Sequence, residues 1–286
     1  MGNCLVLQTD FGLEDGAVSA MYGVAHTVNP TIRVENLTHD IPPYDIWVAS
    51  YRLYQTVKYW PQGTVFVSVV DPGVGSNRRS IVCKTRSGHY IITPDNGSIT
   101  HIMHYEGIEE IRGIDEVKSR LPHSEESHTF HGRDIYAYNG ARLAVGEITF
   151  EELGALLPAE SIKALPLVEA EKNGSILTGS IDVLDVRFGS LWSNIPSSYL
   201  KDVGVEPGDS LQVTIYHQGN KVYQNILLFA KSFADVSIGE PLVYINSLVN
   251  VGVAVNQDSF SKLYHIGTGI DWSLQVRKAP KVIFED

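Results

Sequence analysis

A change of hydrophobic rhythm near residue 165 constrains this 286-residue chain more than any single motif does. Before it, runs of strand length alternate with helical spacing. Residues 3–9 read as a strand, and Ala17, Met21, Val24, Ala25 and Val28 then repeat on one helical face until Asn29-Pro30 stops them. Residues 32–37 read as a second strand, Ile46, Ala49, Leu53, Val57 and Trp60 as a second helix, and 64–70, after Pro61-Gln62-Gly63, as a third strand. This β-α-β-α-β order buries its apolar faces only by packing helices on a sheet. Residues 80–93 read as a hairpin turning at Arg86-Ser87-Gly88-His89, and a helix over 132–145 follows the acidic loop 114–128. Past residue 165 the segments become short and alternating, as in SILTGSIDVLDV and SLQVTIYHQGNKVYQNILLFA, and Gly219-Asn220 marks a hairpin turn. The expected architecture is an α/β N-terminal domain (1–168) with a central β-sheet flanked by helices, plus a smaller C-terminal all-β domain (174–286), a sandwich or barrel. The break falls at EAEKNG, residues 169–174.

Charge narrows the partners. A net charge of -11 without a clustered Lys/Arg run argues against nucleic acid and anionic membrane surfaces, and suits a cationic small molecule. No apolar stretch approaches the ~20 residues of a membrane span. MGNCLVLQTDFG lacks a basic flank and reads as a first strand rather than a signal peptide, so a cytoplasmic location is expected. Cys4 and Cys83 lie in apolar runs without a CxxC partner and read as buried thiols of a reducing compartment.

Three segments carry chemistry. In VSVVDPGVGSNRR (67–79), Asp71 sits where a buried strand emerges, at the strand end where open α/β sheets bind ligands. Gly73 and Gly75 allow a sharp turn that returns Arg78 or Arg79 toward the acid. In Thr9-Asp10-Phe11-Gly12, Asp10 at the end of the first strand suits a ribose diol, and Asp15 lies near the following helix start. In Thr129-Phe130-His131-Gly132-Arg133-Asp134, His131 opens a helix beside a glycine that leaves room for a ligand, and imidazole suits proton transfer near neutral pH. In the β-rich half, Asp185 and Phe188 of DVRFG suit an ammonium and an aromatic base, and Ser247 and Asn256 occupy a comparable edge. His123, His128, His131 and Asp134 lack a metal-ligand spacing, so no metal is expected. There is no GxxxxGK[ST], GxSxG or GxGxxG, which removes the usual support for phosphoryl transfer, serine acyl transfer and dinucleotide binding.

Taken in order, TDFG (9–12), HDIPPYDI (39–46), VVDPGVGSNRR (69–79), PDNG (94–97), TFHGRDI (129–135) and DxxFGxxxxNI (185–195) resemble the S-adenosylmethionine (SAM) hydroxide adenosyltransferases, relatives of the fluorinase and chlorinase enzymes. The resemblance implies an N-terminal α/β domain joined to a C-terminal β-barrel, and a homotrimer with sites between subunits. It also implies hydrolysis of SAM to adenosine and L-methionine, with SAM as substrate and no cofactor. Its Asp, Arg and His map onto Asp71, Arg78 and His131, whereas the halogenases carry Tyr in place of Asp71 and lack the His. An anionic carboxylate repels halide and accepts a hydrogen bond from water, so water is the expected nucleophile.

The resemblance further implies that Asp10 holds the ribose hydroxyls and that Tyr44 and Phe130 pack about the nucleoside. Phe188 and Phe233 belong with the adenine and methionine walls, Asp15, Asp185 and Ser247 with the methionine end, and Phe11, Asn96, Gly132, Ser190 and Asn256 are further substrate-binding candidates. Ser190 replaces the Asn usual after the FG pair, and Leu248 stands where the fluorinase has an Arg on the methionine carboxylate. Two mechanisms fit: His131 or Asp71 as general base, or capture of hydroxide by Arg78. A non-catalytic SAM or adenosine sensor, a halide-using adenosyltransferase and a metal-dependent nucleoside hydrolase are the competing readings.

Overall fold

The computed structural model describes residues 3–280. The chain divides into two compact units, Met1–Leu165 and Pro166–Asp286.

The first unit opens with β1 (Cys4–Thr9), α1 (Ala17–Val28), β2 (Arg33–Thr38), α2 (Ile46–Val57) and β3 (Val65–Val69), the alternation expected from the spacing. β1 pairs in parallel with β2 on one side and β3 on the other. The hairpin of β4 (Ser80–Thr85) and β5 (Tyr90–Pro94) follows, then β6 (Ile108–Ile114) and β7 (Gly154–Leu156). The sheet runs β2-β1-β3-β5-β4-β6-β7, parallel from β2 to β5 and antiparallel beyond.

The central strands are buried on both faces, as parallel sheets demand. Leu5, Leu7, Val65 and Val67 pack with Met21 and Ala25 of α1 and with Ile135 and Ala141, while Cys4, Val6 and Phe66 pack on the other face with Leu53 and Val57 of α2. The helix expected over 132–145 has two pitches, a π-helical segment at Gly132–Ala137 and α3 at Tyr138–Val145. Gly140 of α3 rests directly on the sheet: a Cβ there would stand 2.5 Å from Val67 Cγ2 and 3.0 Å from Leu5 Cδ1.

The second unit contains β8 (Glu171–Asn173), β9 (Ile176–Leu184), β10 (Leu191–Pro196), α4 (Ser197–Asp202), β11 (Ser210–His217), β12 (Asn220–Phe229), β13 (Pro241–Ile245), β14 (Asn250–Val255), α5 (Phe260–Tyr264) and β15 (Gly269–Lys278). Its sheet runs β10-β14-β13-β12-β11-β15-β9-β8, and a further β9–β10 pairing joins the ends into a closed barrel of seven strands with β8 on its rim. Closure removes the exposed edges a sandwich would leave. Leu177, Ile181, Leu191, Val213, Val253 and Leu274 fill its core.

Two expectations shift. The segment 169–174, expected as the boundary between the domains, contains β8, which pairs with β9 and so belongs to the barrel unit. The β11–β12 turn centres on Gln218-Gly219 rather than Gly219-Asn220, both residues having the positive φ of a tight two-residue hairpin loop (49° and 77°).

Candidate active site

The parallel strands β1 and β3 end side by side, and Asp10 and Asp71, just beyond those ends, reach one cavity of about 280 Å³. Asp10, Phe11, Pro43, Tyr44, Val69, Asp71, Val74, Thr129, Phe130, His131 and Gly132 line it.

The Asp10 end is built by a hydrogen-bond chain. Asn36 Oδ1 lies 2.7 Å from His39 Nε2, and His39 Nδ1 lies 2.8 Å from Thr9 Oγ1. The Asn oxygen only accepts, so Nε2 carries the proton and Nδ1 accepts from the Thr9 hydroxyl. Burial lowers the His39 pKa, which favours this neutral form. Asp10 Oδ2 accepts the Tyr44 backbone N–H at 2.9 Å, holding Tyr44 at a positive φ of 68° with its ring 72% exposed. The Phe11 ring meets Phe130 edge-on at 5.9 Å, and a Cβ on Gly132 would approach Phe11 to 3.1 Å. Glycine at 132 therefore leaves the room the sequence pointed to, but Phe11 takes part of it.

Arg78 organises the other end. Its Nε–H donates to Asp71 (2.9 Å to Oδ2, 3.1 Å to Oδ1), and Nη2 lies 2.7 Å from Asp71 Oδ2. Nη1 donates to Glu116 Oε1 at 2.8 Å and to Ser80 Oγ at 3.2 Å, and Nη2 also reaches His131 Nδ1 at 2.7 Å. A guanidinium has five N–H donors, and these contacts engage all of them. Arg78 does not line the cavity; it stands behind Asp71 and His131. With every donor engaged, this arrangement favours the general-base version over capture of hydroxide by Arg78. The Arg78 and Asp71 side chains are only 4% and 5% exposed. Desolvation works against the Arg78 charge, but the Asp71 hydrogen bond and the surrounding negative groups outweigh it and raise its pKa. Arg79, the alternative partner for Asp71, turns away to Asp95 Oδ2 (2.9 Å from Nε) and Ser161, tying the 159–163 segment to the sheet.

His131 opens the π-helical segment and is 3% exposed. Both its ring nitrogens meet guanidinium groups, Nδ1 that of Arg78 and Nε2 that of Arg120 at 3.1 Å. Burial lowers its pKa below the ordinary histidine value; Glu116 opposes this, Arg78 and Arg120 add to it, and Asp71 opposes. Both guanidinium groups only donate, so the neutral ring can accept from just one of them; the shorter contact favours Nδ1 as that acceptor, which leaves an Nε2–H facing the Arg120 donor rather than an acceptor. Glu116, Arg120, Ser80 and Tyr136 complete this network, and the sequence reading missed all four. Glu116 and Arg120 sit in the segment read as a plain acidic loop, and no local pattern marks them.

Some expected site residues have other duties. Asn96, expected to bind substrate, is engaged within the chain: its amide donates to the Val70 carbonyl at 2.8 Å and its oxygen accepts from Ser98, fixing the backbone just before Asp71. Asp15 Oδ1 accepts the Ala17 N–H at 2.8 Å at the start of α1, and Asp15 is not a lining residue. In the second unit, Asp185 Oδ1 accepts the N–H groups of Arg187 and Phe188 (3.0 and 2.9 Å), forming a turn that leaves the Phe188 ring 69% exposed. Gly189 follows at φ 63°, where a Cβ would collide with Ser259. Ser190 hydrogen-bonds Tyr244, whose ring packs on Phe233 at 5.2 Å, so Ser190 and Phe233 share one patch. Ser247 and Asn256 are not brought together: Ser247 is in the β13–β14 turn, whereas Asn256 follows the far end of β14 and donates to the Val236 carbonyl at 2.9 Å. Among the described residues no group of three or more His, Cys, Asp or Glu side chains is arranged to hold a metal ion.

Comparisons with known proteins agree with this layout. The SAM hydroxide adenosyltransferase N-terminal domain profile matches residues 5–154, and its C-terminal domain profile matches residues 179–273. A protein of Salinispora tropica named (R)-S-adenosyl-L-methionine hydrolase is 33% identical over 91% of this chain and 93% of its own. One of the same name from Methanocaldococcus jannaschii is 36% identical, and that match spans 61% of this chain and 65% of its own. A fluorinase of Actinoplanes sp. is 26% identical over 94% of this chain and 96% of its own. The crystal structure of an uncharacterized conserved protein from Thermotoga maritima superposes with a TM-score of 0.86 at 30% identity, covering 96% of this chain and 100% of that one. The two profiles match in order, the first spanning Asp10, Asp71 and His131, and the chain belongs to the SAM hydroxide adenosyltransferase family.

Proposed function

We propose that this chain hydrolyses S-adenosylmethionine to adenosine and L-methionine by attack of water on C5′, with no resident cofactor. The observation that carries the reading is the carboxylate of Asp71 on the cavity wall, locked by Arg78 beside a neutral His131. A sulfonium leaves readily, so the protein's task is to align the nucleophile, and near-attack placement supplies several kcal/mol. Asp71 accepts a hydrogen bond from the water, and His131 stands beside it on the cavity wall. A water lone pair forms the O–C5′ bond, the C5′–S pair departs onto sulfur, and the released proton passes through Asp71 to solvent. A fixed carboxylate at this position disfavours halide, which separates this chain from the fluorinase branch. Asp10 Oδ2 is committed to Tyr44, and its other oxygen serves the ribose diol. Following the (R)-epimer named in its relatives, the substrate is the (R)-sulfonium form.

The same reading extends to a cytoplasmic homotrimer with substrate bound at subunit interfaces. Exposed Tyr44 and Phe188 rings support the assembly, and two buried free thiols, Cys4 and Cys83, support a reducing compartment. Incubation with SAM in oxygen-18 water, followed by mass spectrometry of the nucleoside, tests the reaction. Label on the 5′ oxygen is the expected result, and unchanged SAM that remains bound would replace hydrolysis with sensing. Sedimentation equilibrium at three times the 31.6 kDa chain mass is the expected outcome for the assembly.

A further inference from the structure

Arg78 is held by two carboxylates, and only one of them faces the cavity. Glu116, just beyond β6, sits on the far side of the guanidinium, beside a second cavity of about 560 Å³ lined by Arg78, Ser80, Asp115, Lys118 and Ser119. Its Oε1 accepts from Arg78 Nη1 at 2.8 Å and lies 2.6 Å from Ser80 Oγ, and Ser80 Oγ lies 2.9 Å from the Tyr136 hydroxyl. Its Oε2 lies 3.7 Å from His131 Nδ1. One carboxylate therefore grips the guanidinium with one oxygen and faces the imidazole with the other.

We infer that Glu116 is a positioning residue that fixes the rotation of Arg78 and sets how readily His131 takes a proton. The argument is geometric. A planar guanidinium anchored only through Nε and Nη2 on Asp71 can swing about that edge; the Nη1 contact to Glu116 and Ser80 pins the opposite corner. Once pinned, Nη2 has one hydrogen on Asp71 and the other on His131 Nδ1, which keeps the imidazole proton on Nε2. The charge argument runs parallel to it. His131 is faced by Asp71 from the end of β3, by Arg78 beyond the glycine turn, by Glu116 and Arg120 from the loop after β6, and by the His128 ring at 6.4 Å. Tyr136 contacts the group only through Ser80 and Arg78. Two cations and two carboxylates thus balance around the ring, and of the two carboxylates Glu116 is the one that does not line the cavity.

The two contributions separate by substitution. Glu116→Gln keeps an oxygen for Arg78 and Ser80 but removes the charge, and Glu116→Ala removes both. The experiment is nitrogen-15 NMR titration of the histidine rings of the full chain, with pH–rate profiles for SAM hydrolysis alongside. In the unsubstituted protein His131 shows the Nε2–H tautomer. In Glu116→Gln that tautomer persists and the His131 midpoint falls by about one pH unit, the water-like Coulomb limit at this separation. A midpoint pushed below the acid-unfolding limit counts as that fall. The acid limb of the rate profile moves down with it while KM stays within twofold. In Glu116→Ala the ring populates both tautomers and kcat drops about tenfold. A His131 midpoint and tautomer unchanged in both variants would overturn the inference. Only the rate arm rests on the hydrolase reading. If the unsubstituted chain leaves SAM intact, that reading fails, while the NMR arm still decides the coupling of Glu116 to His131.

Discussion

Replacing Arg78 by Lys tests the network at its centre, because it keeps the charge and changes the shape. Arg78 uses five donors on Asp71, Glu116, Ser80 and His131, whereas an ammonium has three, so at least two hydrogen bonds are lost. Hydrogen bonds to charged groups contribute about 1.5–3 kcal/mol each, which puts the loss at about 3 kcal/mol or more. No discount for solvent applies, since the Arg78 and Asp71 side chains are 4% and 5% exposed. If that loss falls on the aligned nucleophile, the chemical step slows by about a hundredfold or more. Because Arg78 does not line the cavity, substrate affinity should barely change. Single-turnover rates and substrate dissociation constants for Arg78→Lys, with Arg79→Lys as control, measure both quantities. The expected pattern is a slow Arg78→Lys with unaltered binding and an Arg79→Lys with the original rate. Weakened binding at full chemical rate would show instead that Arg78 holds substrate, and the positioning argument would fall.

Asp71→Asn presents an amide donor to the donors of Arg78 and removes the water acceptor, so kcat should fall at least a hundredfold at similar KM in steady-state assays. Asp10→Ala should raise the dissociation constant for adenosine about tenfold or more by calorimetry, since it removes the ribose acceptor and frees the Tyr44 backbone amide. His101 is fully buried on Ser50, and burial drops its pKa to about 4. Between the unfolded value near 6.5 and that folded value, the unfolded chain takes a proton the folded chain refuses. This site's stabilising contribution is therefore complete above pH 6.5, and about 3 kcal/mol of it is lost by pH 4; urea unfolding across that range should flatten in His101→Asn. Asp182 behaves oppositely: burial lifts its carboxyl to about 7, so the folded chain retains a proton that the unfolded chain releases, and stability is lost as pH rises from 3.8 to 7. Asp182→Asn should melt higher than the unsubstituted chain at pH 8 and converge with it near pH 4.

Legibility followed burial. β1, α1, α2 and β3 are readable because each buries a periodic apolar set, and Asp10 and Asp71 are readable because they end those strands. β6 escaped because IEEIRGI is partly exposed and carries Glu109, Glu110 and Arg112, which resemble loop composition. Glu116 and Arg120 escaped for the complementary reason: their neighbours 115–128 are mostly exposed and polar, and only tertiary contact with Arg78 and His131 distinguishes them from solvated charges. The Asn96 contact escaped because PDNG reads alike whether its amide meets a ligand or the Val70 carbonyl. Local pattern reports which face is buried; it does not report which polar group meets which across a separation of 38 positions, as between Arg78 and Glu116.

The change of pitch after His131 bears on how this site tolerates insertions and deletions. A π-helical turn holds more residues than an α-helical one, so Gly132–Ala137 behaves as a helix with one residue to spare. Removing one of those six positions would let the segment wind at ordinary α pitch, the wider turn giving up its extra residue, and His131 would keep roughly its bearing about the helix axis. Removing one residue from α3, which has none to spare, would instead rotate everything before the cut by about 100°, turning His131 away from Asp71 and Arg78. The same lost codon is thus absorbed on one side of Tyr138 and disconnects the imidazole on the other.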